Sequence, residues 1–193
     1  MPPKAKFTRD EILDLALCIA MEQGIDAITA RELGTRLGSS ARPIFTVFAN
    51  MDEVKELVIR RAKDLYGQYV EEGLRGDIAF RGVGIAYIRF ATEQPKLFQL
   101  LFMHEADTKT DITGILPVID AHYDEILESV QNSYALDKES AERFYQHLWI
   151  YTHGIATMLA TGLCTYTMEQ IEERLSEMFR GMILLEKGSK KHD

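Results

Sequence analysis

The stretch 30–48, ARELGTRLGSSARPIFTVF, contains two short helical patterns separated by a Gly-Ser-Ser turn. Two helices that cross at a steep angle need a small residue where they approach and a residue that accepts a positive φ in the turn. Gly34 meets the first requirement and Gly38 meets the second. The apolar residues spaced to hold such a pair together are Leu33, Leu37, Ile44 and Phe48. The stretch predicts a helix-turn-helix, with a plain helical hairpin as the alternative.

The second half of this stretch carries a proline. If Ser40 caps a third helix, Pro43 falls in its first turn, where the absent N–H costs no intrahelical hydrogen bond. The start of that helix would face the major groove of DNA, so Ala41, Arg42 and Thr46 are the predicted base readers. Arg42 is the strongest candidate because a guanidinium can bond guanine O6 and N7 together.

Other residues around these helices are candidates for phosphate contacts. Hydroxyls and backbone N–H groups at helix N-termini bind phosphates, and cations beside the first helix would reach the DNA backbone or the minor groove. The predicted contacts are Thr29, Arg31, Ser39 and Ser40, together with the cations Lys4, Lys6 and Arg9. Simple solvation of these side chains is the alternative.

The rest of the chain also has a helical pattern. Apolar residues recur every three or four positions without a sustained alternation, so the predicted fold class is all-α. Capping boxes begin at Thr8, Thr29 and Asn50. The box at Asn50 opens a long linking helix over about 51–72. Further helices are predicted over about 78–93, 95–103, 115–133, 138–163 and 168–186, with Pro95 and Pro117 in first turns and HEADTKTD from His104 as a loop.

The charge of the chain is unevenly distributed. The 193 residues carry a net charge of −8, but residues 1–63 hold ten Lys and Arg against nine Asp and Glu. The first third is therefore the part that can approach a phosphate backbone without strong repulsion, although ordinary variation would also produce such a difference. The chain starts without the apolar run of a signal peptide. Cys18 and Cys164 form no CxxC pair and are interpreted as reduced core residues, which suits the cytoplasm.

One uncharged segment, 144–168, has the length of a membrane span. Its threonines, histidines and tyrosines lower its hydrophobicity below that of a typical span. We therefore favour a helix buried in protein.

Residues 7–60 resemble the N-terminal domain of TetR/AcrR-type transcriptional regulators. In ILDLALCIAMEQGIDAITARELGTRLGSSARPIFTVFANMDEVKELVI, a helix, G-x-x-x-x-T, the helix-turn-helix, a phenylalanine and a capped long helix follow the family's order. AYIRFATEQPKLFQLLF and LWIYTHGIATMLATG resemble, more weakly, the ligand-domain subgroup named for a Trp-His-Gly signature, here Trp149, His153 and Gly154. The resemblance implies a three-helix DNA-binding domain over 1–50 and a helical ligand-binding and dimerisation domain over 51–193.

Three positions depart from the family's pattern. Relatives usually have tyrosine at Phe45, often histidine at Val47 and commonly lysine near Asp52, and these side chains tend to touch phosphates. Each lost contact removes up to about 1–3 kcal/mol. Lys55 is the predicted replacement charge. These departures predict DNA binding that is weaker and more salt-sensitive than usual, or tuned to an unusual operator.

The resemblance also implies a small-molecule pocket in the C-terminal domain. Aromatic and polar side chains interleaved in apolar helices are the candidate lining, with core packing as the alternative for each. The candidates are Tyr66, Tyr69, Tyr87, Phe90, Phe98, Met103, His104, Tyr123, His147, Tyr151 and His153. An apolar or aromatic effector is expected.

The last two helices carry the dimer contacts that the resemblance implies. Small residues on the uncharged helix and an apolar face on the final helix suit a four-helix interface, with an intramolecular core as the alternative. The candidates are Gly154, Met158, Gly162, Leu175, Phe179 and Met182.

The sequence therefore predicts a ligand-responsive transcriptional regulator, a repressor that binds a palindromic DNA operator as a homodimer. No cofactor, metal ion or membrane is expected. A degenerate relative that binds ligand or protein but not DNA is the alternative. A helical enzyme is a third hypothesis with only the histidines in its favour, since the sequence has no G-x-S-x-G elbow, P-loop, Rossmann glycine run or metalloprotease motif.

Overall fold

The computed structural model describes residues 6–76, 78–103, 111–119 and 122–189. Within these residues all regular secondary structure is helical, which confirms the predicted all-α class. Single 3-10 turns lie at Ile25–Ala27 and Ile44–Thr46. The α-helices are α1 (Arg9–Gln23), α2 (Ala30–Arg36), α3 (Met51–Leu74), α4 (Ala79–Glu93), α5 (Pro95–Phe102), α6 (Ile112–Ile119), α7 (Tyr123–Tyr134), α8 (Lys138–Ala160) and α9 (Met168–Ser189).

Side-chain caps fix the starts of α1 and α3. The Thr8 N–H donates to the Glu11 carboxylate at 2.7 Å, and the Glu11 N–H donates to the Thr8 hydroxyl at 3.2 Å. This is the predicted capping box, and the bond from the Thr8 backbone lowers the pKa of Glu11. At α3, the Glu53 N–H donates to Asn50 Oδ1 at 2.8 Å, whereas the Glu53 carboxylate accepts the Ala49 N–H at 2.7 Å. Local sequence therefore sets both helix starts.

The chain forms two compact units, and α3 contributes residues to both. The described part of the first unit comprises residues 6–65 and 94–103. Here α1 packs against α2, the first 3-10 turn and α5. Apolar side chains from α1, α2, α3 and α5, and Ile28 directly after the 3-10 turn, form its core, which includes Ile12, Ile19, Ile28, Leu33, Val58 and Phe98. The helix α5 thus joins the N-terminal unit although it follows α4 in sequence.

The second unit is built around α4. Within the described residues from 66–93 and from 111 onward, α4 packs against α7 and α8, and α8 also contacts α6 and α9. Its core is rich in aromatic side chains, including Phe80, Tyr87, Phe90, Phe144 and Tyr145.

Two predictions about the middle of the chain are wrong. The predicted helix over 115–133 is two helices, α6 and α7. Pro117 lies inside α6 and not in a first turn, because α6 already begins at Ile112. Asp111 fixes this early start by accepting the Gly114 N–H at 3.0 Å. The predicted loop, HEADTKTD from His104, lies outside the described residues except for Asp111.

The uncharged segment 144–168 is not one helix. The helix α8 ends at Ala160 and α9 begins at Met168. Along α8, Phe144 is buried but Ile150 is 53% exposed, so burial is one-sided. None of the helices in the described residues is long and apolar enough to cross a membrane.

The prediction of a core position is wrong for Cys18. Its side chain is exposed, since Ala16, Ile19 and Ala20 take the buried face of α1. Cys164 is half-buried.

Candidate DNA-binding surface and ligand pocket

The turn after α2 has the geometry that its glycines predict. Gly38 has a φ of +59°, and its N–H donates to the Thr35 carbonyl at 3.1 Å. The Ser39 N–H donates back to the Gly34 carbonyl at 2.9 Å. A Cβ on Gly34 would lie 3.1 Å from both the Ser39 carbonyl oxygen and the Ala41 nitrogen. Both glycine requirements are therefore met, because α2 closes in a left-handed turn and the chain returns directly against it.

The prediction that Ser40 caps a third helix is wrong. The segment after the turn instead forms the single 3-10 turn Ile44–Thr46, with Val47 N–H donating to the Ile44 carbonyl at 3.1 Å. Pro43 disfavours a helical conformation in the residue before it, which explains why no helix forms earlier. Ile44 and Phe48 are 0% and 3% exposed, so burial of these two side chains holds the segment in place.

The predicted DNA contacts around the turn differ in how free their side chains are. Arg31 and Arg42 are exposed, and their guanidinium groups form no hydrogen bond or ion pair with the part of the chain that the structure describes. Lys6 Nζ lies 3.3 Å from Ser39 Oγ, which brings the N-terminal arm to the turn. Thr29 caps α2 through its hydroxyl at 3.1 Å. The two arginines are thus the side chains readiest to bind DNA.

Two further predicted contacts already have partners within the chain. The Thr46 hydroxyl donates to the Pro43 carbonyl at 2.6 Å. Lys55 Nζ lies 3.9 Å from the Asp26 carboxylate, a distance at the limit of an ion pair. Both side chains would exchange these partners to reach DNA. Ser40 is exposed and Ala41 is half-buried.

Arg9 acts within the fold. Its guanidinium donates to the Val47 carbonyl at 3.0 Å and to Glu53 at 2.5 Å, and it lies 4.5 Å from the centre of the Phe48 ring. Hydrogen bonds from the Ala49 backbone and from Arg9 lower the pKa of Glu53. Arg9 therefore joins α1 to the end of the segment 40–48. The sequence predicted Arg9 only as a contact to DNA. Lys4 lies outside the described residues.

The three departures from the family pattern lie on or near this surface. Phe45 is 49% exposed and Asp52 is exposed, whereas Val47 is half-buried. Phe45 and Asp52 therefore present an apolar ring and a carboxylate at positions where the resemblance implies hydrogen-bond donors.

The second unit contains a cavity of about 330 Å³. Residues of α3, α4, α7, α8 and α9 surround it. The lining consists of Tyr66, Ile78, Phe80, Arg81, Val83, Gly84, Tyr87, Tyr134, Tyr145, Leu148, Trp149, Thr152, Leu175, Ser176, Phe179 and Arg180. Its size is at the lower end of the range for small-molecule sites.

Two predicted lining residues, Tyr66 and Tyr87, line this cavity. Phe90 is fully buried, with its ring centre 5.3 Å from that of Tyr66. Tyr123 stacks on Tyr145 at 5.6 Å without reaching the cavity.

The other pocket candidates lie elsewhere. His147 is exposed and Tyr151 is half-buried, and neither lines the cavity. Met103 is 40% exposed and belongs to the first unit. His104 lies outside the described residues.

A periodic signal in the sequence would have found more of the lining. The α8 residues that line the cavity share one helical face: Tyr145, Leu148, Trp149 and Thr152. His147 and Tyr151 each follow one of these aromatic residues by two positions, so they project from another side of α8. The helical spacing of residues along α8, and not residue type alone, therefore distinguishes the residues that line the cavity from those that do not.

His153 connects two aromatic residues of the lining. Its Nδ1 lies 2.8 Å from the Tyr87 hydroxyl, and its ring stacks on Trp149 at 4.7 Å with an interplanar angle of 6°. Burial lowers the pKa of His153. The resemblance to the Trp-His-Gly subgroup stays a prediction, but two of its three residues form this stack.

The predicted dimer contacts divide into two groups. Gly154 and Gly162 are exposed and Met158 is half-buried. Leu175 and Met182 are buried within the single chain, and Leu175 and Phe179 line the cavity. Leu175 and Met182 are therefore covered within the chain, whereas Phe179 is half-buried like Met158.

No group of three or more His, Cys, Asp or Glu side chains that could hold a metal ion occurs among the residues that the structure describes.

Comparison with known proteins agrees with this architecture. Residues 80–182 match the family described as tetracyclin repressor-like, C-terminal domain. The chain is also 23% identical over 163 residues to the uncharacterized HTH-type transcriptional regulator YobS of Bacillus subtilis (strain 168), with 83% of each chain covered. Since the matched domain spans more than half of the sequence and contains the cavity-lining segments of α4, α7, α8 and α9, the chain belongs to the tetracyclin repressor-like family.

Proposed function

We propose that the chain is a ligand-responsive DNA-binding transcriptional regulator, acting in the cytoplasm as a homodimeric repressor. The observation that carries this proposal is the closed turn after α2, which holds Gly34 against the following segment and leaves Arg31 and Arg42 exposed without partners in the described residues. A turn that folds the following segment back against α2 and leaves two guanidinium groups exposed suits base and phosphate contacts in a major groove. The family and the name of the relative in Bacillus subtilis agree with it.

Exposed apolar side chains on the last two helices support the homodimer. Among the described residues, large apolar side chains are exposed in the middle of α8, in the loop after it and at both ends of α9. They are Ile150, Leu163, Met168, Leu184 and Leu185, with exposures between 39% and 76%. Such a concentration marks a protein interface. The accessible predicted contacts Gly154, Met158 and Gly162 belong to the same stretch of chain.

The continuous helix α3 supports a link between ligand and DNA. Val54 and Val58 of α3 are fully buried in the first unit, and Tyr66 of the same helix lines the cavity of the second. A ligand that contacts Tyr66 would therefore act on the helix that follows the DNA-reading segment. The ligand can shift DNA affinity only through its differential affinity for the two arrangements of the dimer.

Selection of DNA fragments bound by the purified chain tests the proposal. A random or genomic pool is selected at low and at physiological salt. The expected result is a palindrome whose half-sites lie about 34 Å apart, one helical turn, because a symmetric dimer reads successive major grooves. Recovery of no sequence above background from folded protein at low salt contradicts the proposal.

A second candidate function is a dimer that binds ligand or protein without reading DNA. The absence of a third α-helix in the segment 40–50, together with exposed Phe45 and Asp52, favours this alternative. Phe45→Tyr with Asp52→Lys supplies a hydroxyl and a cation at these positions. If this variant binds DNA where the parent fails on every sequence, the alternative describes the natural protein.

A further inference from the structure

The charged residues of the cavity have one sign. Arg81 and Arg180 line the cavity, and no Asp, Glu, Lys or His is among its lining residues. Both arginine side chains are exposed to solvent at the border of this cavity, which is otherwise lined mainly by apolar and aromatic residues. Guanidinium groups bind carboxylates in planar, two-point geometry.

The two arginines are not equally compensated. Arg81 forms an ion pair with Glu172 at 3.0 Å. Arg180 donates from Nε to the Ser176 carbonyl at 3.2 Å and has no acidic partner among the residues that the structure describes. The three charged groups therefore leave one positive charge at the cavity, which matches a ligand with one negative charge.

Tyr134 adds a hydrogen-bond donor at the same place. Its hydroxyl oxygen is buried, and the described residues offer it no hydrogen-bond partner. Burial raises the pKa of Tyr134, and the nearby charge of Arg81 acts against that rise. A buried hydroxyl without a partner is costly, and an acceptor atom on a ligand would satisfy it.

The remainder of the lining suits an apolar body. The rings of Phe80, Tyr145, Trp149 and Phe179 surround the cavity. A second depression of about 300 Å³ shares Tyr134, Phe179 and Arg180 with it and continues past Ile183 and Leu184. The Arg180 and Tyr134 side chains thus border both spaces.

We propose that the ligand of this cavity is a small aromatic or alkyl monocarboxylic acid. Its carboxylate pairs with Arg180, accepts the Tyr134 O–H and lies within reach of the charge of Arg81, while its apolar body fills the ring-lined space. As the effector, the acid rests on the proposed function of a regulator. Its binding to the cavity does not depend on DNA.

Matched ligands test the proposal on the full chain without DNA. Phenylbutanoate, phenylbutanol and phenylbutylamine share one apolar body and differ in the charge of the head group, and the corresponding octyl series does the same without a ring. Binding is measured by calorimetry and by the fluorescence of Trp149, the single tryptophan of the sequence. In at least one series the carboxylate is expected to bind about tenfold more tightly than the alcohol, and the amine more weakly still. Added salt should reduce that preference.

Two variants separate the charge from the apolar cavity. Arg180→Gln should bring the carboxylate and the alcohol to similar affinity, and Tyr134→Phe should reduce the preference in part. Arg174→Gln removes the same charge from an α9 residue that lies over Tyr166 at 4.8 Å and is not in the lining, so the preference should persist. Equal binding of acid and alcohol, no binding in either series, or a preference that survives Arg180→Gln in folded protein overturns the proposal. A clear acid preference in a protein that selects no DNA would leave the ligand assignment standing and refute the proposed regulator.

Discussion

In the proposed regulator, Arg42 is the side chain expected to contribute most to base recognition. It is exposed in the segment between the Gly38 turn and the buried Ile44, and its guanidinium has no partner in the described residues. Arg42→Ala is expected to cost about 1–3 kcal/mol of operator affinity, because a two-point contact with guanine is lost. Anisotropy titrations on operators changed at single base pairs should show the loss concentrated at one or two positions. Arg31→Ala is the matched comparison and should weaken binding evenly.

A uniform loss for Arg42→Ala across all operator variants would mean that Arg42 touches only phosphate. Base recognition would then rest on the exposed Phe45 ring or on DNA shape.

His153 makes stability depend on pH. Burial lowers its pKa in the folded chain below the ordinary value of 6.5. The unfolded state therefore binds a proton more readily, and the free energy of unfolding falls as pH drops through about 6.5 and levels off below the folded pKa. The free energy of unfolding, measured with urea at pH 8 and at pH 5.5, should differ less between the two pH values in His153→Gln than in the parent.

His147→Gln is the control for this experiment because His147 lies on the exposed side of the same helix. It should keep the pH dependence of the parent. If the free energy of unfolding changes equally with pH in the parent and in His153→Gln, the surroundings of His153 do not oppose its protonation.

At the scale of elements, two glycines set how closely α3 approaches α4. A Cβ on Gly73 would lie 2.7 Å from the Gly82 carbonyl carbon, and a Cβ on Gly82 would collide with the Gly73 carbonyl. Gly82→Ala is expected to lower the free energy of unfolding by about 1–3 kcal/mol, since rigid backbone cannot make way. Chemical denaturation measures this change.

Gly67→Ala on α3 is the matched control. A Cβ there meets no atom within 4 Å, so alanine should raise stability by about 0.4–1 kcal/mol through its helical preference. If Gly82→Ala is as stable as the parent, the close crossing of α3 and α4 is refuted.

The sequence predicted the helix starts and turns whose geometry depends only on neighbouring residues. The Thr8 box, the positive φ of Gly38 and the Pro95 start of α5 each depend on a few neighbouring residues. The helix predicted to begin after Ser40 does not form, because Pro43 disfavours a helical conformation in the residue before it and only the 3-10 turn Ile44–Thr46 follows.

The cavity was only partly predictable for a related reason. Residue type suggested aromatic and histidine candidates, and Tyr66 and Tyr87 lie in the lining. Arg81 and Arg180 were not predicted, because both are exposed like ordinary charged residues of an amphipathic helix, and only the packing of α4, α7 and α9 brings them to the border of a cavity.

For the whole molecule, the proposed homodimer rests on apolar side chains exposed in α8, in the loop after it and in α9. Leu163 and Leu184 are 76% and 72% exposed. Changing both to Glu should shift the particle from a dimer toward a single chain of 22.0 kDa, because buried carboxylates oppose an apolar interface. Light scattering coupled to size exclusion measures the mass. Met103→Glu, at an exposed apolar residue of the first unit, should leave the dimer intact.

A parent protein that already runs as a monomer at micromolar concentration would contradict this assembly, and with it the symmetric contact with a palindrome.

The most direct test of the central claim is a hydroxyl-radical footprint of the chain on its best selected DNA fragment. A dimeric regulator should protect two patches centred about 34 Å apart on symmetric half-sites. The Arg31→Ala, Arg42→Ala double variant should lose both patches while its helical circular dichroism is unchanged. A footprint that the double variant retains, or protection spread evenly along the fragment, would contradict DNA reading by the segment between α2 and α3.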